Sequence, residues 1–295
     1  MKPTIFLGLV THVRTRFPES AGAEGLVVQV ARHLEEHGVK VVVAVHDDDR
    51  HTEDLVPLTR TEVKRSIAAE MALEEQWRSF VNARQPRWLL HLFMAARRAY
   101  RTVRLAPPWL TASEARTSGA QMLRRLVNIE IAHLHLLHQA RDLEVTWAAI
   151  FEDDAHLSDP CAFATSLARF VRDSPSEQPG YVNISRSFSH ERLALAHHLT
   201  WVGQWDSSTK VMASDIPLTN TVCAILYRGS FLDTLVPALD RIPVSPVLPI
   251  DWKLNQALLD LARAGSLGAG DCWFLDPAPV VQGSMHDQGD DGGAR

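Results

Sequence analysis

Residues 147–157, WAAIFEDDAHL, run apolar and then stop on three adjacent carboxylates, Glu152, Asp153 and Asp154. Two like charges about 5 Å apart at an effective dielectric near 20 repel by roughly 3 kcal/mol, so such crowding asks for a compensating partner. A divalent cation is the simplest one. Mg²⁺ and Mn²⁺ seek oxygen and are commonly held by one or two carboxylates together with substrate phosphates. A cation held there would neutralise a diphosphate leaving group. The competing reading is a solvated turn in which Asp154 or Asp159 caps the next helix.

Asp47, Asp48 and Asp49 pose the same question after an earlier apolar run. An acid there could accept a hydrogen bond from a ribose hydroxyl, or simply belong to a polar loop. The segment Thr11-His12-Val13-Arg14-Thr15-Arg16 follows the first apolar run. The Thr11 hydroxyl and the guanidinium groups of Arg14 and Arg16 suit a nucleotide diphosphate, since arginine matches phosphate with a two-pronged fork. Ordinary surface charge is the alternative. No GxGxxG follows the first run, which disfavours a nicotinamide or flavin cofactor. No GxxxxGK[ST] occurs, so a P-loop enzyme is excluded.

These residues need elements to position them. Thr4 to Val10 reads as a buried strand, Gly25 to His37 as a helix stopped by Gly38, and Val39 to Val45 as a second buried strand. That is a βαβ unit, and it predicts a parallel sheet covered on both faces. Residues 61–104 read as helical with a break at Gln85-Pro86, followed by a loop through Pro107-Pro108, so 61–112 forms a helical insert. Gln121 to Arg141 is an amphipathic helix on Leu123, Val127, Leu134 and Leu137. Thr146 to Phe151 is a third buried strand, and it delivers the acids to its carboxyl end, where ligands bind in open α/β sheets. Ala162 to Val171, Phe231 to Leu239 and Trp252 to Ala264 are further helices; Gly180 to Ile184 and Val222 to Tyr227 are further strands. The fold class is α/β, a Rossmann-type mixed, mostly parallel sheet flanked by helices. One domain spans 1–286, and 287–295 has the composition of a disordered tail.

Bulk composition narrows the classes. The 295 residues carry a net charge of −5 with both signs mixed, which argues against a nucleic-acid partner. Cys161, Cys223 and Cys272 are scattered and form no CxxC, so a disulfide scaffold or zinc knuckle is not expected and a reducing compartment fits. No run of 18 apolar residues is present, and Ile5 to Val10 lacks the cleavage signal of a leader peptide. The expected setting is cytoplasmic.

Four segments, in order, carry a resemblance. They are the helix piece Ile131-Ala132-His133-Leu134-His135-Leu136-Leu137, then Ile150-Phe151-Glu152-Asp153-Asp154-Ala155, then residues 219–232 (TNTVCAILYRGSFL), then Leu248-Pro249-Ile250-Asp251-Trp252-Lys253-Leu254-Asn255. Together they resemble glycosyltransferase family 25, the lipooligosaccharide-type glycosyltransferases, with hydrophobic-EDDA and Pro-hydrophobic-Asp-Trp as the family-like pair. The likeness spans about 121–260; before that, Gly8-Leu9-Val10-Thr11-His12 departs from the family's usual Asn-Leu strand. The resemblance implies a GT-A fold, a nucleotide-sugar donor (UDP-linked), a hydroxyl acceptor on a glycan, lipid-linked glycan or small molecule, and Mn²⁺ or Mg²⁺. It implies Glu152 and Asp154 as metal-binding acids and Asp153 facing the sugar. His286, after Pro279-Val280-Val281, would be a further ligand, with a merely solvated histidine as the alternative. Asp251 is the base candidate: in an inverting transfer a carboxylate takes the acceptor proton. An N-cap role for Asp251 is compatible with that. Asn183, Ser185 and Arg186 would lie on the acceptor side.

Residues 77–104 hold seven arginines and no acid, interleaved with Trp88, Leu89, Leu90, Leu92, Phe93 and Met94. Such a pattern suits an anionic membrane surface at the inner face. It equally suits an insert packed on the core with its arginines in solvent or paired with Glu70 to Glu75. His133, His135 and His138 read as packing or surface residues, and His197-His198 lacks metal-ligand spacing. Two other functions share the acids: a metal-dependent nucleotidyltransferase or phosphohydrolase, and a non-catalytic membrane-associated scaffold on a transferase fold.

Overall fold

The computed structural model describes residues 2–11, 23–47, 60–81, 86–105, 120–173, 179–186, 195–219, 221–242 and 249–282. Its centre is a parallel trio: β1 (Thr4–Thr11), β2 (Lys40–Asp47) and β3 (Trp147–Glu152), with β1 in the middle. Between β1 and β2 runs helix α1 (Ala23–Glu36). Gly38 ends this connection with φ of +77°, a conformation that a side chain disfavours, and its N–H reaches the Glu35 carbonyl at 2.9 Å.

Next come β4 (Ala155–Leu157), β5 (Tyr181–Asn183), β6 (Ser185–Arg186), β7 (Leu199–Gln204), β8 (Lys210–Ser214), β9 (Ala224–Arg228), β10 (Cys272–Asp276) and β11 (Val280–Gln282). The large sheet has the order β2-β1-β3-β9-β5-β10-β8-β7, and a small one has the order β4-β11-β6. Strand β9 runs antiparallel to both its neighbours, and β8 does likewise, so the large sheet is mixed. The edge hairpin β7–β8, and β10 and β11, were not expected. Strand β7 is largely exposed, so it lacks the apolar run by which the central strands are recognised.

Period-two alternation splits the core. Ile5, Leu7 and Leu9 of β1 and Trp147, Ala149 and Phe151 of β3 face α1 and α5 (Pro160–Asp173). Phe6, Val10, Ala148 and Ile150 face the other way, toward α4 (Ala120–Asp142), α6 (Gly229–Asp240) and α7 (Ile250–Arg263). Three layers result, helices over sheet over helices. Gly229 begins α6 against β3, and a Cβ there would collide with the Val145 carbonyl.

The expected insert is a helical hairpin, α2 (Arg60–Val81) and α3 (Arg87–Leu105), closed on a small core of Ile67, Met71 and Met94. Glu74 of α2 is buried, accepts a 2.8 Å hydrogen bond from Arg78, and lies 3.0 Å from Arg97 of α3 as an ion pair outside hydrogen-bond alignment. The expected loop at 105–112 lies outside the described residues from 106 onward. Among the described residues, no helix is long and apolar enough to cross a membrane.

Candidate metal centre

Register brings the carboxyl ends of the parallel trio together. Val10 pairs with Glu152 and Thr11 with Asp47, so the first two strands finish beside the acids. Strand β9 enters antiparallel, so its start lies at the same edge, and Glu152 N–H donates to the Cys223 carbonyl at 2.8 Å. The chain reverses at Asp153-Asp154 into β4, whose Ala155 pairs with Gln282 of β11. Asp159, not Asp154, caps the next helix: its Oδ1 accepts from Ala162 N–H at 2.9 Å. Asp154 is thereby left for other work.

Carboxylate oxygens of Glu152 and Asp154 and the Sγ of Cys223 lie within 4.8 Å of one another. Glu152 is buried and lies 3.2 Å from Nε2 of His133 on α4. The Cys223 thiol is directed at Asp154 Oδ1 across 3.6 Å. Burial first, and then the charges of Glu152 and Asp154, push this thiol well above its ordinary range. As a thiol it donates to Asp154. Asp153 is half-buried and also engaged.

Asp251 arrives from α7. Its helix is capped by Pro249 without a side-chain hydrogen bond, so Asp251 sits in the first turn and is not the N-cap. The carboxylate accepts from the Val222 N–H and from its own N–H, which ties it to the segment leading into β9. Burial, and then the charges of Glu152 and Asp154, push it up to about 7, the backbone hydrogen bonds opposing. Its side chain keeps partial exposure, although atoms crowd it on every side.

Behind Asp251, Lys253 forms an ion pair with Glu130 of α4, and both side chains are essentially buried. Glu130 lies one helical turn before His133 on α4, and Lys253 lies two residues after Asp251. One buried contact thus joins the helices that carry the two sides of the centre. Asn255 accepts from Thr219 N–H at 2.8 Å, and the Thr219 hydroxyl lies 2.8 Å from Asn183 Oδ1. Ser185 exchanges 2.9 Å hydrogen bonds with the backbone of Ala224. These polar groups brace the strand ends with their own hydrogen-bonding capacity.

Expected residues divide accordingly. Glu152, Asp153, Asp154 and Asp251 are brought to one edge. Thr11 is there too, but its hydroxyl is turned to the His46 carbonyl at 3.4 Å and is buried. Asn183 and Ser185 serve as internal braces, whereas Arg186 is exposed on β6. Arg14, Arg16, His286, Asp48 and Asp49 lie outside the described residues. His133, read from the sequence as packing or surface, is a buried partner of Glu152; Cys223, Glu130 and Lys253 carried no local signal at all. His135 stacks on His46 at 4.7 Å, and His138 pairs with exposed Asp240.

Two clefts lie elsewhere. One of ≈ 570 Å³ includes Val145, Gly229 and Asp233, at the opposite end of β3, and one of ≈ 320 Å³ includes Phe170, Trp205 and Trp273. Neither is lined by Glu152, Asp153, Asp154 or Asp251.

What fold and site define is an α/β protein with a carboxylate cluster at the carboxyl edge of its parallel strands. No protein-family model matches the chain, and no curated protein matches it.

Proposed function

We propose that this chain is a metal-dependent glycosyltransferase of GT-A type that moves a sugar from a nucleotide-sugar donor, UDP-linked, to a hydroxyl acceptor. The observation that carries the reading is the convergence of Glu152, Asp154 and Asp251 at one sheet edge, with Asp251 raised first by burial and then by the charges of the other two.

Mn²⁺ or Mg²⁺ fits the donor set. Glu152 and Asp154 offer carboxylate oxygens, and hard cations select oxygen. Glu152 and Asp154 would hold the ion, which when bound would supply positive charge for the departing nucleoside diphosphate. His133 fixes the orientation of Glu152 from behind. Asp251, up at about 7, is matched to accepting a hydroxyl proton near neutral pH, since a base works best with its pKa near ambient. Lys253 and Glu130 keep that carboxylate at a fixed distance from α4.

The test is a melting screen of nucleotide sugars with and without Mn²⁺, joined to product analysis. The reading requires stabilisation by a nucleotide sugar that depends on the cation and disappears in Asp154→Ala. Release of pyrophosphate or inorganic phosphate in place of a nucleoside diphosphate would make the chain a nucleotidyltransferase or phosphohydrolase. A panel without any cation-dependent shift sinks both enzymatic readings.

A further inference from the structure

Helix α3 has two opposite faces of the same chemical kind. Met94 is buried and Leu90 partly buried against α2. On the far side, Trp88 is 62% exposed, Leu92 61% and Tyr100 63%, and Leu89, Phe93 and Val103 join them. At about 100° per residue these six side chains fall in one stripe roughly 140° wide. An apolar stripe of that length on a helix surface marks an interaction site.

Charge says what the stripe meets. The 19 residues of α3, RWLLHLFMAARRAYRTVRL, include five arginines and no acid, in a chain whose net charge is −5. Positive charge is thus gathered on the helix that exposes apolar surface. Arg87 and Arg98 are exposed on the flank of the helix that leads round from the stripe toward Met94. Arg97 lies toward the other side of the stripe, half-buried and paired with Glu74. His91 is paired with Glu75 of α2. A second copy docking face to face would set two helices of like positive charge side by side, which like-charge repulsion opposes.

We propose that α3 docks the protein on an anionic lipid bilayer, lying in the plane of the interface. The apolar stripe enters the acyl boundary, and the arginines on the remaining faces give the helix a positive field that draws it to anionic headgroups. Helix α2, with Glu74 and Glu75 turned to α3, stays on the water side. This docking is independent of the reading of the acidic edge, since no residue is shared. It narrows the sequence-level expectation for 77–104 to one helix and one face.

The experiment uses the full chain and cosedimentation with phosphatidylcholine vesicles, plain or with about 30% phosphatidylserine. Expected is at least tenfold tighter binding to the anionic vesicles, falling as salt is raised. Leu92→Glu with Phe93→Glu should weaken it at least tenfold while the melting temperature holds, because both sites are exposed. Arg87→Gln with Arg98→Gln should lower the anionic preference severalfold and spare the binding to neutral lipid. Should the glutamate pair disturb folding, the glutamine pair alone decides. Equal binding to both vesicle types, or none, overturns the proposal. So does a wild-type dimer in sedimentation that Leu92→Glu converts to monomer, which would assign the stripe to a second copy.

Discussion

At the carboxyl edge of β1 and β3, charge is withdrawn from water; along α3, apolar side chains are left in it. The edge is assembled from β3, β9, α4 and α7, which meet only in the folded chain, and its charges are set against one another or against partners from distant segments. The hairpin is assembled from two consecutive helices, and these ion pairs stay within it. Either arrangement is unfavourable by itself: buried like charges raise a proton affinity, and exposed apolar area orders water. The difference teaches how each is sustained. Crowded acids need a rigid surround held by the whole core, whereas an exposed stripe needs only one stable helix.

The sharpest break falls on the edge. Asp154→Asn should lower transfer by about 10³-fold, since a cation's charge stabilisation is worth several kcal/mol in a transition state. The fold should survive, because one repulsive charge is lost. Cation-dependent turnover of a nucleotide sugar measures it, and undiminished turnover would detach the acids from chemistry. Next, Lys253→Met should destabilise by about 3 kcal/mol in urea, because Glu130 is left charged in a dry site. Pairing it with Glu130→Leu should recover much of the loss, as hydrophobic replacement of a whole buried pair often does.

A smaller effect separates the hairpin from the edge. Glu74→Gln should cost about 1–2 kcal/mol, read as faster hydrogen exchange in α2 and α3 with β1 and β3 unchanged. Spread of the effect into the sheet would show that the two regions are not separable. The last test is of pH. Asp251 lies near 7 in the folded chain against an ordinary 3.8, so the native state binds the extra proton between those values. Stability from this group is therefore full below about pH 4 and falls as pH rises to about 7, and Asp251→Asn should flatten that slope. A slope that persists in Asp251→Asn would locate the titration elsewhere.

The central strands were legible because both faces are buried, so TIFLGLV and VKVVVAV read as continuous apolar runs. The site's acids were legible because EDD and PIDW are local and follow recognisable elements. His133 was not, since its partner Glu152 comes from another element and neither residue's neighbours reveal it. Asp251 was expected at a helix start, and it is, but two residues past the cap position, which Pro249 takes without a side-chain hydrogen bond. The edge strands β7 and β8 were missed because half-exposed strands mix polar and apolar residues without a clean alternation.

By itself, the sequence determined where hydrophobic strands lie, where acids follow them, and that one helix concentrates arginine beside apolar residues. Those are properties of neighbours along the chain, fixed by periodicity and side-chain chemistry. Only the tertiary structure decided that Glu152, Asp154, Cys223 and Asp251 share one edge, that the thiol serves Asp154, and that the apolar stripe of α3 faces outward. Proton affinity and exposure depend on what lies a few ångströms away in space, and at this edge those neighbours come from residues far apart in the chain.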